Sequence, residues 1–72
     1  AIYPLSSMAY YFRAKCKFKQ LNYQGAVEDF GFSLKNASEN EADIYLSRGT
    51  CFLETGETEK ALADFERGLR YD

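Results

Sequence analysis

The feature that most constrains this chain is an internal repeat. Shifted against itself by 35 residues without a gap, the sequence pairs Tyr10 with Tyr45, Arg13 with Arg48, Cys16 with Cys51, Ala26 with Ala61, Asp29 with Asp64, Phe30 with Phe65 and Leu34 with Leu69. These are seven identities in 37 pairs, against about two for unrelated stretches of average composition. Ala14/Gly49, Val27/Leu62, Ser33/Gly68 and Lys35/Arg70 are chemically close pairs at the same shift. Repetition at such a period marks supersecondary units that bury their apolar faces against one another.

Within each unit the apolar residues recur at helical spacing. Tyr45, Gly49, Phe52 and Leu53 share one face, and Ala61, Leu62, Phe65, Gly68 and Leu69 share another. Thr55-Gly56-Glu57-Thr58 separates them: the glycine suits the left-handed residue that ends a helix, and the polar residues after it suit a cap. Asn22 is the matching cap in the first unit, and Asn40 with Asp43 three residues on reads as the cap of a third helix. Four helices are therefore expected, at about 7–20, 23–36, 41–54 and 58–71. The fold class is all-α, two antiparallel helical hairpins stacked as a solenoid. Residues 1–6 form a lead-in, 7–41 the first repeat and 42–72 the second. Small residues mark close approaches: Ala14/Gly49 and Ala26/Ala61 where a hairpin's helices cross, Ser33/Gly68 where the following helix is admitted. A mid-helix glycine costs about 1 kcal/mol relative to alanine, so Gly49 and Gly68 make sense only under a neighbouring helix.

These residues resemble the tetratricopeptide repeat, with its pattern W-x2-L-G-x2-Y…A-x3-F…P. The second unit follows it as Tyr45-x2-Arg48-Gly49-x2-Phe52, then Gly56, then Ala61-x3-Phe65. The first follows as Tyr10-x2-Arg13-Ala14-x2-Lys17, then Ala26-x3-Phe30, with Lys17 in an aromatic's place and Leu21 in the turn glycine's. A slip of one residue would instead bury Tyr11, Ala14 and Phe18, so the first helix has two possible registers. The chain stops before the closing proline of the second repeat, and Pro4 stands near where a preceding repeat would close. A piece of a longer array is the expectation.

The resemblance implies a protein-binding scaffold whose first helices line a concave groove for an extended peptide. Carried onto this sequence, that groove is Met8, Tyr11, Lys15, Phe18 and Lys19 facing Asp43, Leu46, Thr50, Leu53 and Glu54. Arg13, Lys15, Lys17 and Lys19 occupy a stretch with no acid between residues 9 and 21. Lysines beside aromatics suit an acidic peptide with an apolar anchor. Some family members grip chaperone C-terminal carboxylates with a lysine, asparagine and arginine clamp. Tyr11, Lys15 and Ser47 at the matching positions do not make one.

Other chemistry finds little to work with. With no histidine and two cysteines there is no closely spaced metal-ligand set. Cys16 and Cys51 read as small apolar filler. Glu28/Asp29 and Glu57/Glu59 are the nearest paired acids, but no nucleophile or phosphate loop accompanies them. Asn36-Ala37-Ser38 matches a glycosylation acceptor, a short motif expected to carry no meaning here. An enzyme, a cofactor and a bound metal are not expected. The net charge of −2 opposes nucleic-acid binding, and with it a pentatricopeptide-like RNA reader. No apolar run reaches the roughly 18 residues of a membrane span. An intracellular, cytoplasmic protein is the expectation. Two repeats leave outer faces bare, at Tyr10 or Tyr11, Phe65, Leu69 and Tyr71, so self-association is expected too.

Overall fold

A computed structural model describes residues 6–35 and 41–70. They form four α-helices: α1 (Ser7–Lys19), α2 (Tyr23–Lys35), α3 (Glu41–Glu54) and α4 (Thr58–Leu69). No strand occurs among the described residues. Each helix packs on the next in sequence, so α1/α2 and α3/α4 are hairpins and α2/α3 joins them. The all-α repeat architecture expected from the 35-residue period is what the chain adopts. Observed helix ends fall within one or two residues of the expected ones, and the expected end of the fourth helix, at Tyr71, lies outside the described residues.

The two hairpins are built alike down to single bonds. Arg13 Nε and Nη2 donate to Asp29 Oδ2 and Oδ1 at 2.7 and 2.9 Å, and Arg48 makes the same fork on Asp64 at the same distances. Asp29 and Asp64 are both buried. A buried carboxylate needs such a partner, because desolvating an unpaired charge is far more costly than the pair is beneficial. Arg48 lies over the Tyr45 and Phe52 rings. In the first hairpin Lys17 stands in Phe52's place and uses it to reach Asp29, 3.1 Å away. The ungapped register therefore holds in α1. Tyr11 and Phe18 still lean on the core from the next strip of the helix, which is why a one-residue slip looked plausible.

Both α1 and α3 end in the same way. The Asn22 and Glu57 amides reach back to the Lys17 and Phe52 carbonyls, each at 2.8 Å, across a residue of positive φ. That residue is Gly56 (φ 83) in the second hairpin and Leu21 (φ 63) in the first. Ser6 caps α1, its side chain accepting from the Ala9 amide at 3.1 Å, and Asn22 caps α2 by accepting from Gly25 at 3.2 Å. The expected cap after Gly56 is not made: Glu57 has no side-chain cap bond and instead holds Lys60 at 3.1 Å. Asn40 lies outside the described residues; Asp43 is used elsewhere.

The small residues sit at crossings. A Cβ on Gly49 would lie 2.8 Å from a Phe65 ring carbon and 3.2 Å from the Ala61 carbonyl, so α3 and α4 touch there. Ala14, Ala26 and Ala61 are buried. Ser33, expected to admit the following helix, uses its hydroxyl within the first hairpin. Ser33 and Gly68 each face the first helix of their own hairpin: Ser33 exchanges bonds with Ser7 (2.9 Å to each carbonyl), and a Cβ on Gly68 would meet Leu46 at 2.8 Å. The core cluster is Ala14, Ala26, Phe30, Ile44 and Cys51, contributed by α1, α2 and α3. Cys51 is filler as expected, but Cys16 is exposed; both are free thiols.

Candidate functional site

The groove residues expected from sequence lie on the first helix of each hairpin. Met8, Tyr11, Lys15 and Phe18 or Lys19 are spaced by three or four, as are Asp43, Leu46, Thr50 and Leu53 or Glu54, so each set forms one stripe. The structure joins the stripes side by side. Tyr11 donates its hydroxyl to Asp43 Oδ2, Lys15 Nζ lies 3.0 Å from the same carboxylate, and Lys15 also donates to Ser47 Oγ at 3.2 Å. The Lys15 ammonium sits 5.5 Å from the centre of the Tyr11 ring. Tyr11, Lys15, Asp43 and Ser47 thus make one polar bridge between α1 and α3.

Electrostatics follow from that bridge. Burial pushes the Asp43 carboxyl upward, but the hydrogen bonds from Tyr11 and Lys15 outweigh it and hold it below its ordinary value. The bond to Asp43, with burial second, pushes the Tyr11 hydroxyl up to about 12. Both groups are locked in the charge states that the bond needs at neutral pH. Burial also raises the Cys51 thiol to about 11, helped by Glu54.

The basic run of α1 is therefore not a free patch. Arg13 and Lys17 are held by Asp29, and Lys15 by Asp43. Lys19 is exposed with no partner among the described residues. Of the other groove residues, Met8, Leu53 and Glu54 are exposed, whereas Leu46 and Thr50 are half-buried, Thr50 bonding the Leu46 carbonyl at 2.9 Å. Phe18 stacks edge-on against Tyr23 and so is partly structural. Ser47 was expected only as a failed clamp position. Its role in the bridge follows from its place one turn beyond Asp43.

Of the remaining signature residues, Arg13, Ala14, Ala26, Phe30, Tyr45, Arg48, Gly49, Phe52, Gly56, Ala61 and Phe65 serve the hairpins as described above, and Tyr10 lies under the Arg13 guanidinium (5.4 Å) and against the Phe32 ring (5.0 Å). The glycosylation match at Asn36-Ala37-Ser38 lies outside the described residues. Among the described residues no group of three potential ligands converges on a metal position, and no helix is long and apolar enough to cross a membrane. Comparison with protein-family models, curated proteins and solved structures returns no match.

Proposed function

We propose that this chain is a protein-binding scaffold of tetratricopeptide type, whose α1/α3 face receives an extended segment of a partner. The observation that carries the reading is the polar bridge of Tyr11, Lys15, Asp43 and Ser47. It sets two helix stripes edge to edge and leaves exposed apolar side chains beside it, Met8 on α1 and Leu53 on α3. Rigid helices presenting apolar anchors within a polar rim are what peptide recognition needs.

The chemistry of the ligand shifts with the structure. Lys15 is already neutralised by Asp43, so the positive charge offered to a partner is that of Lys19, with Glu54 opposite in sign near the other end of α3. The preferred segment carries an apolar side chain for Leu53 and Met8 and an acid for Lys19. A clamp for chaperone tails does not fit, since its positions are spent on the bridge. The most buried carboxylates, Asp29 and Asp64, are consumed by arginine forks, which suits a scaffold rather than acid/base catalysis.

Peptide display against the immobilised protein tests the proposal. Selected peptides should carry an acid near an apolar anchor, and binding should fall in Lys19→Glu and Leu53→Lys while Arg67→Glu leaves it unchanged. Peptides whose binding survives both groove changes would place recognition elsewhere.

A further inference from the structure

The face of α3 opposite the polar bridge is the floor of a furrow between α2 and α4. Tyr45, Arg48 and Phe52 lie half a turn round α3 from Asp43, Ser47 and Thr50. Two cavities, of about 410 and 240 Å³, open on this side and run into one another at Val27 and Glu28. The larger extends along α2 past Gly31 to Leu34 and Lys35, over Arg48. The smaller is bounded by Phe52, Thr55, Glu57 and Lys60 at the α3–α4 turn, a helix length from the segment that joins α2 to α3. Gly31 keeps the middle open: a Cβ there would have Arg48 Nη1 as its nearest neighbour across the furrow, at 3.8 Å. Walls and floor are helices that pack on one another inside the chain, α2 and α4 each on α3. A further repeat before α1 or after α4 would stack on α1 or on the far side of α4, and leave the furrow as it is.

The charges of the furrow are ordered along it. Glu57 and Lys60 pair at 3.1 Å and cancel. Glu28, in the half nearer the turn, has no ion-pair partner among the described residues. Towards the other end the surplus is positive. Arg48 Nη1 is left over from the fork on Asp64, and Lys35 and Arg67 lie over the Phe32 and Tyr45 rings rather than on an acid.

We propose that the furrow receives an amphipathic helix of a partner protein, lying antiparallel to α2 and α4. Gln24 to Lys35 spans about 17 Å, three turns of such a helix. Val27 and Leu34, two turns apart on α2, with Phe52 opposite, offer half-buried apolar contacts at the spacing of a helix face. Helices favour acids in the first turn and bases in the last, which suit the macrodipole. Set antiparallel, the acids of the first turn meet Lys35 and Arg67, and the bases of the last meet Glu28. The helix dipole then also opposes those of α2 and α4. This site is separate from the α1/α3 face: it lies on the other side of α3 and takes a folded segment.

Fluorescence anisotropy with synthetic helices tests the proposal. The probes are labelled, end-capped helices of about 15 residues, with Leu, Met or Phe on one face, acids in the first turn and bases in the last. A second set has the two charged turns exchanged. The first set should contain binders, and the exchanged version of each should bind about tenfold or more weakly, because like charges then face each other. Glu28→Lys/Lys35→Glu, at two exposed positions, should invert that preference. Gly31→Leu, with the fold checked by circular dichroism, should fill the furrow and abolish binding. No binder in the first set, equal affinity for both charge orders, a preference unmoved by the charge swap, or binding indifferent to Gly31→Leu overturns the inference. So does loss of binding in Lys19→Glu, which would place the helix on the α1/α3 face.

Discussion

Replacing Leu21 by glycine should stabilise this protein, an unusual outcome for removing a large apolar side chain. Leu21 has φ 63 at the position where the second hairpin has Gly56 at φ 83. The left-handed region costs an L-residue roughly 1–2 kcal/mol, and glycine escapes that cost. Two terms oppose the gain. Glycine makes the unfolded chain more flexible, worth about 0.4–1 kcal/mol. Leucine also loses whatever burial it has, but Leu21 is 69% exposed, so this contribution is small. The net expectation is a stabilisation of about 0.5–1 kcal/mol, or a rise in Tm of a few degrees for a domain of this size. The bonds that close the helix, Leu21 N to Phe18 O at 2.9 Å and Asn22 N to Lys17 O at 2.8 Å, involve only the backbone and should persist. Thermal melts by circular dichroism at low protein concentration give the answer. The reciprocal change, Gly56→Leu, should lower Tm, since nothing lies within 4 Å of a Cβ there to reward the side chain. A lower Tm for Leu21→Gly would refute the reasoning and show that Leu21 makes contacts worth more than its strain.

Gly49→Leu and Ala61→Leu should each destabilise by about 1–3 kcal/mol or more in urea melts, whereas Glu59→Leu on the exposed face of α4 should stay within about 0.5 kcal/mol. Arg48→Met should cost more than Arg13→Met, by the same assay. Arg48 is the sole cation in ion-pair range of Asp64 among the described residues, and stranding a buried charge costs about 3–5 kcal/mol, while Lys17 remains beside Asp29 when Arg13 is lost. The Arg13 fork, opposed by burial and aided by Lys17, holds the Asp29 carboxyl below its ordinary range. Its contribution is complete above the unfolded value of about 4 and disappears as pH falls through the folded one, so Asp29→Asn should flatten the acid limb of a stability–pH curve. Tyr11 works in the opposite sense. Its raised value means a contribution present below about pH 10 and lost as pH climbs towards 12, and Tyr11→Phe should remove that alkaline limb.

The architecture was legible because the repeat and the helical period are local, one-dimensional signals. Two copies of Ala-x3-Phe after a turn placed α2 and α4, and Asn22 announced its cap by composition alone. What escaped notice depends on residues far apart in the chain. Arg13, Lys15 and Lys17 looked like a free basic strip because their acids lie 12 to 28 residues later, on α2 and α3. Cys16 and Cys51 looked equivalent because the sequence shows the repeat but not which side of each unit is covered. Leu21 broke the glycine rule, yet the backbone keeps the same closing bonds, so tertiary packing of the hairpin overrides local preference there. The functional face was readable only as two stripes. Their joining depends on the Tyr11–Asp43 bond, which no spacing rule predicts.

The most direct measurement of the central claim is an amide chemical-shift map of the isotopically labelled protein titrated with a display-selected acidic–apolar peptide. The account predicts that the largest shifts follow the two stripes, at Met8, Lys15 and Lys19 on α1 and at Asp43, Thr50 and Leu53 on α3, with α2 and α4 little changed. Shifts centred on α2 and α4, or on Phe12 and Leu62 at the outer faces, would contradict it.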